Sequence, residues 1–310
     1  MMSRMIRPAH LVQGDVIGIV APASPVEREV LERSFQFLER LGLRYKVGQS
    51  VYKKNGYLAG TDEERLADLH EMFKDPEVKG ILCAGGGYGS ARYAEQLDLD
   101  LIHDHPKVFW GFSDITYLHT AIRQGAGLVT FHGPMLASCV AQDEFHEMSG
   151  KMFGQLFTPV EVHYSEAISP LETIVGGVAE GEVVGGNLTQ LVNSLGSEFE
   201  VKTNNRLLVL EDVGEEPYKV DRLLNQLRLA GKLREAAGIV IGDFAKATPT
   251  KPNASLALDE VFEHYFGKLN QPVVKGFRIG HCEPNIAIPF GVKGRLDANS
   301  KTLTILPGVE

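Results

Sequence analysis

Residues 107–119 read KVFWGFSDITYLH, and the local structure that this stretch predicts decides the fold class. Lys107–Gly111 is an apolar run typical of a buried strand, whereas Asp114–Arg123 has the apolar spacing of a helix. Ser113 lies at the turn between them. A strand that passes through a tight turn straight into a helix is typical of a parallel sheet with helices on its faces. The stretch therefore predicts an α/β fold with a serine at the end of a strand.

The same alternation of strand and helix precedes this stretch. Asp15–Ala23 and Lys79–Ala84 are short apolar runs that predict strands. Ser24-Pro25-Val26-Glu27 and Thr61-Asp62-Glu63-Glu64 both fit the capping-box pattern that begins a helix. The first half of the chain is therefore predicted to form a parallel-sheet α/β domain.

The length of the chain indicates two domains, since 310 residues are about twice the usual size of one domain. We predict an N-terminal α/β domain at residues 1–157, a linker at 158–173, and a smaller C-terminal domain of mixed β and α structure at 174–310. The linker is placed where polar residues and Pro170 interrupt the apolar pattern.

Charge and cysteine content exclude several classes of protein. The chain carries 31 basic and 40 acidic side chains, a formal net charge of −9, and no basic cluster, so nucleic acid is not an expected partner. Cys83, Cys139 and Cys282 are too few and too scattered for a disulfide framework or a metal site. The N-terminus lacks the apolar stretch of about 7 to 15 residues that a signal peptide needs, and no run resembles a membrane span. A soluble cytoplasmic protein is expected.

A glycine-rich loop follows the predicted strand Lys79–Ala84. Gly85-Gly86-Gly87-Tyr88-Gly89-Ser90 lies at the carboxyl end of a parallel strand, where such sheets bind ligands. Glycine lets main-chain N–H groups approach a phosphate closely, but neither a GxGxxG nor a GK[ST] pattern is present. A phosphate-binding loop and a plain tight turn both fit this segment.

Two roles also fit Ser113. In a nucleophile elbow, a strained turn after a strand lifts a serine hydroxyl clear of the sheet, and the next N–H points to where an oxyanion forms. The common GxSxG pattern is not met, because Ile115 stands at the position of the second glycine. Serine before aspartate at a helix start is also ordinary N-capping, which this segment alone favours.

Partners for a catalytic serine are found in the second half of the chain. The buried-strand pattern at Arg206–Leu210 ends in Glu211 and Asp212, and a carboxylate in that place can orient a histidine. Asp212 also fits a helix cap. His281 lies in a predicted loop, which favours a functional role, and His132 is the rival base.

Six short motifs are spread over nearly the whole chain. They are GGGYGS at Gly85–Ser90, GFSD at Gly111–Asp114, FHGP at Phe131–Pro134, GGNLTQL at Gly185–Leu191, LEDVGEEPYKVDR at Leu210–Arg222 and GH at Gly280–His281. Their order resembles that of the LD-carboxypeptidase family of serine peptidases, also called muramoyltetrapeptide carboxypeptidases. The resemblance implies the same two-domain form.

The resemblance also implies a role for each matching residue. Ser113 is the implied nucleophile, His281 the general base, and Glu211 the acid that orients the histidine. The implied oxyanion hole consists of the N–H of Asp114 and that of one glycine in the preceding loop, taken as Gly86. The implied chemistry needs neither a metal ion nor another cofactor.

The implied reaction is hydrolysis of the bond between the L-centre of a diamino acid and a terminal D-alanine, in murein tetrapeptides recycled in the bacterial cytoplasm. The partner is thus a small peptide, and the resemblance makes a homodimer the expected assembly. The residues alone lead only to an acyl-transferring serine hydrolase. They do not identify the group that binds the terminal carboxylate; Arg92, just beyond the glycine loop, is taken as the candidate.

Two other functions compete with this one. Within the same family, an immunity-type enzyme would hydrolyse the peptidyl-adenylate of a microcin-like antibiotic; such relatives carry a longer loop that stacks on the nucleobase, and this chain shows no obvious aromatic insertion. In another class, a nucleotide- or sugar-binding module would hold a phosphate with Gly85–Gly89, and Ser113 would only cap a helix. The murein carboxypeptidase is the favoured interpretation.

Overall fold

The computed structural model describes residues 5–310, which form two compact units. Unit 1 comprises residues 5–160, Glu283–Gly291 and Pro307–Glu310. Unit 2 comprises Glu161–Cys282 and Val292–Leu306. Each unit is built around its own β-sheet.

Strands and helices alternate along much of the chain. The strands are β1 (Val16–Val20), β2 (Arg44–Val47), β3 (Val78–Cys83), β4 (Val108–Gly111), β5 (Thr130–His132), β6 (Val162–Tyr164), β7 (Glu172–Val175), β8 (Val178–Asn187), β9 (Arg206–Val213), β10 (Gly238–Ala245), β11 (Val273–Lys275), β12 (Ile288–Phe290), β13 (Lys293–Asp297) and β14 (Thr302–Ile305). The α-helices are α1 (Arg28–Arg33), α2 (Phe35–Arg40), α3 (Asp62–Lys74), α4 (Leu99–Asp104), α5 (Thr116–Ala121), α6 (Glu147–Lys151), α7 (Leu188–Asn193), α8 (Pro217–Leu229), α9 (Lys232–Glu235) and α10 (Leu258–Phe266). Across residues 5–310, no helix combines the length and the apolar character that crossing a membrane requires.

The sheet of unit 1 is mostly parallel, with the strand order β12-β5-β4-β3-β1-β2. The strands from β2 to β5 pair in parallel with their neighbours, and β12 pairs antiparallel with β5. β1 and β4 are buried along their whole length, as expected for parallel strands that are covered on both faces. The predicted parallel-sheet α/β domain is confirmed.

The sheet of unit 2 is mixed, with the strand order β6-β14-β13-β8-β9-β10-β11-β7. The central strands β8 to β11 pair in parallel, whereas the outer strands pair antiparallel. Aliphatic and aromatic side chains of the central strands pack against those of α7, α8 and α10 in one buried cluster. The predicted mixed β and α character of this part of the chain is therefore confirmed.

The units differ from the contiguous segments predicted for the domains. The chain leaves unit 1 after Val160, inside the predicted linker 158–173, but the rest of that range belongs to unit 2. Tyr164 Oη lies 2.6 Å from Ser169 Oγ there, so the segment is packed rather than a free connector. Glu283–Gly291 returns to unit 1, because β12 extends the first sheet beside β5. The predicted C-terminal domain 174–310 is thus interrupted.

The two predicted capping boxes have different outcomes. The box before α3 is confirmed: Glu64 N–H donates to Thr61 Oγ1 at 3.3 Å, and Thr61 N–H donates to Glu64 Oε2 at 2.9 Å. The box predicted at residues 24–27 is wrong, because α1 begins only after it and has no side-chain cap. The Ser24 hydroxyl oxygen instead accepts a hydrogen bond from the N–H of Tyr88 in the glycine loop, at 3.2 Å.

His119, on α5, is buried among aromatic rings of unit 1. Its Nε2–H donates to the Gly111 carbonyl oxygen at 2.8 Å, and its ring centroid lies 5.5 Å from that of Phe109 and 5.9 Å from that of Phe290. Burial lowers the pKa of His119 from 6.5 to about 4; the charge of Arg123 acts in the same direction, and the Gly111 carbonyl opposes it. The imidazole is therefore neutral in the folded protein at pH 7.

We expect the free energy of unfolding to fall as the pH is lowered from 6.5 to 4. In this window the unfolded imidazole binds a proton that the folded one excludes, which costs about 3 kcal/mol of stability at the lower end. Urea unfolding at neutral pH and near pH 4 measures the loss. His119→Gln, which retains an N–H donor, should lose about 3 kcal/mol less than the parent. Equal losses in the two proteins would contradict this account.

Candidate active site

The turn after β4 holds Ser113 in a strained backbone conformation. β4 ends at Gly111, and Ser113–Ile115 forms a 3₁₀ turn that leads into α5. Ser113 has a φ of 65°, in the left-handed region, where a residue with a β-carbon costs of order 1–3 kcal/mol. Strain at a strand-to-helix turn is the backbone feature of a nucleophile elbow.

The structure contradicts the alternative that Ser113 caps a helix. Phe112 occupies the N-cap position of the 3₁₀ turn and Ile115 that of α5, and neither helix start has a side-chain capping hydrogen bond. A capping serine also has extended rather than left-handed backbone. Helix capping therefore does not explain the left-handed backbone conformation of Ser113.

The main chain of the glycine loop lies directly against Ser113. A β-carbon placed on Gly86 would lie 3.0 Å from Ser113 Cβ, 3.1 Å from Ser113 Oγ and 3.2 Å from Met135 Cε. These distances are tighter than nine in ten real β-carbon contacts, so a side chain here would force Ser113 or Met135 to move by a few tenths of an ångström, whereas glycine permits the close approach. The backbone of Gly86 is thereby brought beside the serine hydroxyl, as the oxyanion-hole prediction requires.

Hydrogen bonds from outside the glycine loop hold it in place. The Ser24 N–H donates to the Gly86 carbonyl oxygen at 3.1 Å, and the Ser24 hydroxyl oxygen accepts from the Tyr88 N–H. The guanidinium of Arg65, which is almost fully buried, donates through Nη1 to the Gly89 carbonyl oxygen at 2.9 Å. The carbonyl groups of Gly86 and Gly89 are thus bound by the protein itself.

Asp114 ties the glycine loop to the serine turn. The Ser90 N–H donates to Asp114 Oδ2 at 2.9 Å, and the Ser90 hydroxyl donates to the Asp114 carbonyl oxygen at 2.8 Å. Burial raises the pKa of the Asp114 carboxyl, while the hydrogen bonds from Ser90 and Gly89 oppose this rise. The sequence motifs did not identify Ser90 as a functional residue; its place at the end of the GGGYGS motif was the available signal.

Arg92, the predicted ligand of the substrate carboxylate, lies just beyond this loop on a 3₁₀ turn at Ser90–Arg92. Its Nε–H donates to both carboxylate oxygens of Asp62, at 2.9 and 3.0 Å, and its side chain is 42% exposed. This hydrogen bond holds the pKa of Asp62 below its ordinary value. The buried Arg65 also pairs with Asp62.

Unit 2 brings Glu211 and His281 together. Glu211 lies near the end of β9 and is fully buried, and its Oε2 is 2.7 Å from His281 Nδ1. The imidazole is 19% exposed. A methyl group on Gly280, which has a φ of 109°, would overlap the Glu211 carboxylate, so glycine allows the histidine loop to pass this close. The predicted acid–base pair is therefore present as a hydrogen-bonded pair.

The two members of the pair change each other's protonation. Burial raises the pKa of the Glu211 carboxyl, although the hydrogen bond and charge of His281 oppose the rise. Burial by itself lowers the pKa of His281, but the hydrogen bond that it donates to Glu211 and the charges of Glu211, Asp212 and Asp243 outweigh this effect. The pKa of His281 is therefore above its ordinary value, and the imidazolium form is stabilised.

Asp212, the other candidate acid, is bound to the start of α7. Its Oδ2 accepts hydrogen bonds from the Thr189 N–H at 2.9 Å and from the Thr189 hydroxyl at 2.8 Å, and its Oδ1 accepts one from Asn187 Nδ2 at 3.0 Å. Successive residues of a strand point to opposite faces, which explains why only Glu211 of this adjacent pair reaches His281. The GGNLTQL motif contains both Asn187 and Thr189.

His132, the rival base, is fully buried on β5 in unit 1. Its ring centroid lies 5.7 Å from that of Phe112 and 5.4 Å from that of Phe290. A general base must reach the proton that it removes, and this position among aromatic rings does not favour such a role. The structure thus brings Ser113, Gly86 and Asp114 together in unit 1, and Glu211 and His281 together in unit 2.

Comparison with known proteins gives consistent matches. The LD-carboxypeptidase N-terminal domain family matches residues 17–133, and the LD-carboxypeptidase C-terminal domain family matches residues 180–296. The probable murein peptide carboxypeptidase of Bacillus subtilis is 50% identical, over 98% of this chain and 95% of its own length. The microcin C7 self-immunity protein MccF of Escherichia coli is 29% identical, over 98% of this chain and 96% of its own. A solved structure of muramoyltetrapeptide carboxypeptidase from Oxalobacter formigenes has a TM-score of 0.83 and 27% identity, covering 94% of this chain and 97% of that one.

The two family matches include all three predicted triad residues. Ser113 lies in the segment matched by the N-terminal domain, and Glu211 and His281 lie in that matched by the C-terminal domain. The agreement extends over nearly the whole length of the Bacillus relative. The chain therefore belongs to the LD-carboxypeptidase family.

Proposed function

We propose that this protein is a serine carboxypeptidase that removes the terminal D-alanine of murein tetrapeptides by hydrolysing an L,D-peptide bond. The observation that carries the proposal is the left-handed backbone of Ser113, with a φ of 65°, at the turn between β4 and α5. The 50% identity to a probable murein peptide carboxypeptidase supports the choice of substrate.

In the proposed first step, Ser113 Oγ attacks the peptide carbonyl carbon while His281 Nε2 takes the hydroxyl proton. The carbonyl electrons move to oxygen, and the main-chain N–H groups of Asp114 and Gly86 stabilise the oxyanion. As the tetrahedral intermediate collapses, the C–N bond breaks, and His281 gives its proton to the D-alanine nitrogen. A water molecule then attacks the acyl-enzyme by the same route and restores the serine.

Glu211 supports this sequence by fixing the tautomer of His281. Donation from Nδ1–H to Glu211 Oε2 leaves Nε2 as the proton acceptor, and the carboxylate stabilises the imidazolium that forms. The nucleophile belongs to unit 1 and the acid–base pair to unit 2, so the mechanism needs both units. We also propose Arg92 as a substrate-binding cation, whose terminal NH₂ groups are suitable donors.

The proposed setting is the recycling of peptidoglycan in the cytoplasm by a homodimer. Both inferences rest on the family resemblance of the sequence motifs. The substrate itself, a small soluble peptide, would be met in that compartment after the cell wall is degraded.

Hydrolysis of a microcin-like peptidyl-adenylate is the second candidate, and the 29% identity to MccF supports it. The same serine would be acylated, but the leaving group would be a nucleotide rather than D-alanine. The higher identity to the murein relative favours the peptidase. A binding module without turnover is the third candidate, and it gives no reason for the strained conformation of Ser113.

Release of D-alanine from a purified murein tetrapeptide tests the proposal. We expect release from this peptide and none from the same peptide ending in L-alanine. Ser113→Ala should lower kcat by several orders of magnitude, as loss of a triad serine does in other hydrolases, and should change the free energy of unfolding by no more than about 0.5 kcal/mol. Turnover that survived in the variant would contradict the nucleophile assignment. Hydrolysis of an acyl-adenylate but of neither peptide would favour the second candidate.

Glu211→Gln should both slow catalysis and shift its pH dependence. His281 must be neutral to accept a proton, so kcat/KM rises with pH through its pKa, which Glu211 holds above 6.5. Glutamine keeps the shape but removes the charge, so the rising limb should move to lower pH while kcat falls on the order of 10⁴-fold. Asp212→Asn is the control and should reduce kcat far less. If the rising limb of the pH profile stayed at the same pH in Glu211→Gln, a residue other than Glu211 would be the acid that orients His281.

Ser90→Ala should affect the transition state more than substrate binding. The variant loses the hydroxyl that donates to the Asp114 carbonyl, so the turn that supplies the oxyanion donor is held less firmly. We expect kcat to fall about tenfold, with KM changed less than twofold. Titration of active sites with a covalent serine reagent corrects for misfolded protein, and Ser300→Ala, at an exposed turn, is the control. If Ser90→Ala lowered only the fraction of protein that the reagent titrates, and not kcat per titrated site, the role of Ser90 would be purely structural.

A further inference from the structure

Tyr164 lies on β6, an edge strand of the sheet of unit 2, yet its side chain is almost fully buried. Its hydroxyl oxygen accepts a hydrogen bond from the Arg278 N–H at 2.6 Å. Its ring packs edge-on against that of Phe277, with the ring centroids 4.9 Å apart. Both partners belong to residues 276–281, the histidine loop, which follows β11 and ends at His281. An edge strand of unit 2 therefore contacts the loop that carries the proposed base.

Ser169 extends this contact into a chain of hydrogen bonds. Ser169 Oγ lies 2.6 Å from Tyr164 Oη and donates to the Gly276 carbonyl oxygen at 2.7 Å. A serine hydroxyl has a single proton, so the Tyr164 hydroxyl is the donor to Ser169 Oγ. Each hydroxyl thus donates one hydrogen bond and accepts one. The two side chains, which we call the hydroxyl chain, join the Arg278 N–H to the Gly276 carbonyl group of the histidine loop.

Strand β10 binds other main-chain groups of the histidine loop. The Phe277 N–H donates to the Ile241 carbonyl oxygen at 3.2 Å, and the Asp243 N–H donates to the Ile279 carbonyl oxygen at 3.0 Å. Residues 277 and 279 therefore bond to β10, whereas residues 276 and 278 bond to the hydroxyl chain. Because buried main-chain groups need such partners, two side-chain hydroxyls here take the place of a neighbouring strand.

The position of the histidine loop decides whether His281 meets Glu211. Glu211 is fixed within β9, and its Oε2 lies 2.7 Å from His281 Nδ1. His281 follows Ile279 by only two residues, so a displacement of the loop is passed on to the imidazole. A displacement of about 1 Å away from β9 would lengthen this contact beyond hydrogen-bonding distance. The orientation of the imidazole therefore depends on what holds the loop.

Packing alone does not explain the hydroxyl group of Tyr164. A phenylalanine at this position would fill the same space and keep the ring contact with Phe277. Only the oxygen that binds the Arg278 N–H and Ser169 would be lost. The contacts of the Tyr164 hydroxyl thus hold the histidine loop rather than the core.

We propose that Tyr164 and Ser169 are positioning residues for His281, because their hydroxyl chain fixes the loop that places the imidazole against Glu211. This inference rests on the proposed function, in which His281 is the general base. Both residues lie in the segment 158–173 that the sequence predicts to be a linker, and neither belongs to the six motifs. The proposal thereby gives part of the predicted linker a role in catalysis.

The NMR signals of His281 test the positioning role without any substrate. The short bond to Glu211 should shift the Nδ1 proton downfield, and loss of this signal in His281→Gln assigns it. In Tyr164→Phe we expect the signal to move upfield. The pKa of His281 should also fall in this variant. Burial lowers that pKa, and the hydrogen bond to Glu211 together with the charges of Glu211, Asp212 and Asp243 raises it above 6.5, so weakening the bond lowers it.

Hydrolysis of the murein tetrapeptide measures the effect on catalysis. Per titrated active site, Tyr164→Phe should lower kcat about tenfold with KM changed less than twofold, because a misplaced base affects the transition state more than the bound substrate. Ser169→Ala breaks the same chain and should act in the same direction. The double variant should be no slower than the slower single variant, since both changes interrupt one chain.

Tyr265→Phe is the matched control. Tyr265 is a buried tyrosine of α10 in unit 2, and its hydroxyl donates to Asp221 on α8 rather than to the histidine loop. Its replacement should change kcat less than twofold and leave the His281 signal in place. If Tyr164→Phe does not fold, Ser169→Ala decides by the same two measurements.

Two results would overturn the proposal: a His281 signal, or a kcat, that stays unchanged in both Tyr164→Phe and Ser169→Ala. A signal that moves equally in Tyr265→Phe would also overturn it. If the parent releases no D-alanine but the signal moves in the first two variants and not in the control, the hydroxyl chain positions His281 and the proposed function fails.

Discussion

The contact between the glycine loop and the side chain of Ser113 is the constraint on which the site in unit 1 depends. Glycine at position 86 permits this approach without displacing the serine side chain. The Ser24 hydrogen bonds hold one end of the loop, and the links between Ser90 and Asp114 hold the other. A strained residue persists only where its surroundings determine its conformation from several sides, and these bonds supply such surroundings for Ser113.

In unit 2 the main constraint is the burial of two adjacent carboxylates, those of Glu211 and Asp212. An isolated charge in such a place would cost several kcal/mol, so each group needs its own compensation. Glu211 is compensated by His281, whereas Asp212 is compensated by the N–H and hydroxyl of Thr189. The alternation of side chains along β9 sends the two carboxylates to different partners. One acidic residue thereby binds a histidine, and the other fixes the start of a helix.

Local patterns predicted much of the fold. The apolar run before Ser113 became β4, and the capping box at Thr61 is present, because both signals depend only on neighbouring residues. The signal at Ser24 failed because its hydroxyl is engaged by Tyr88, far along the chain, and no local pattern reports such a contact. The choice between Glu211 and Asp212 stayed open for a similar reason: it depends on which face of a strand meets a loop that is 70 residues away. Likewise, no local pattern predicted the hydrogen bonds between Ser90 and Asp114, because they join two separate segments of the chain.

The position of β12 in the chain affects how the protein is made. The first sheet is complete only after Ile288–Phe290 has been synthesised, which follows the whole segment Glu161–Cys282 of unit 2. Until then β5 is an open edge, and the unpaired main-chain groups of such an edge are prone to pair with other chains. A nascent chain that has been synthesised only as far as residue 160 therefore contains the first sheet without its last strand. The growing chain therefore carries this aggregation hazard from the synthesis of β5 until that of β12.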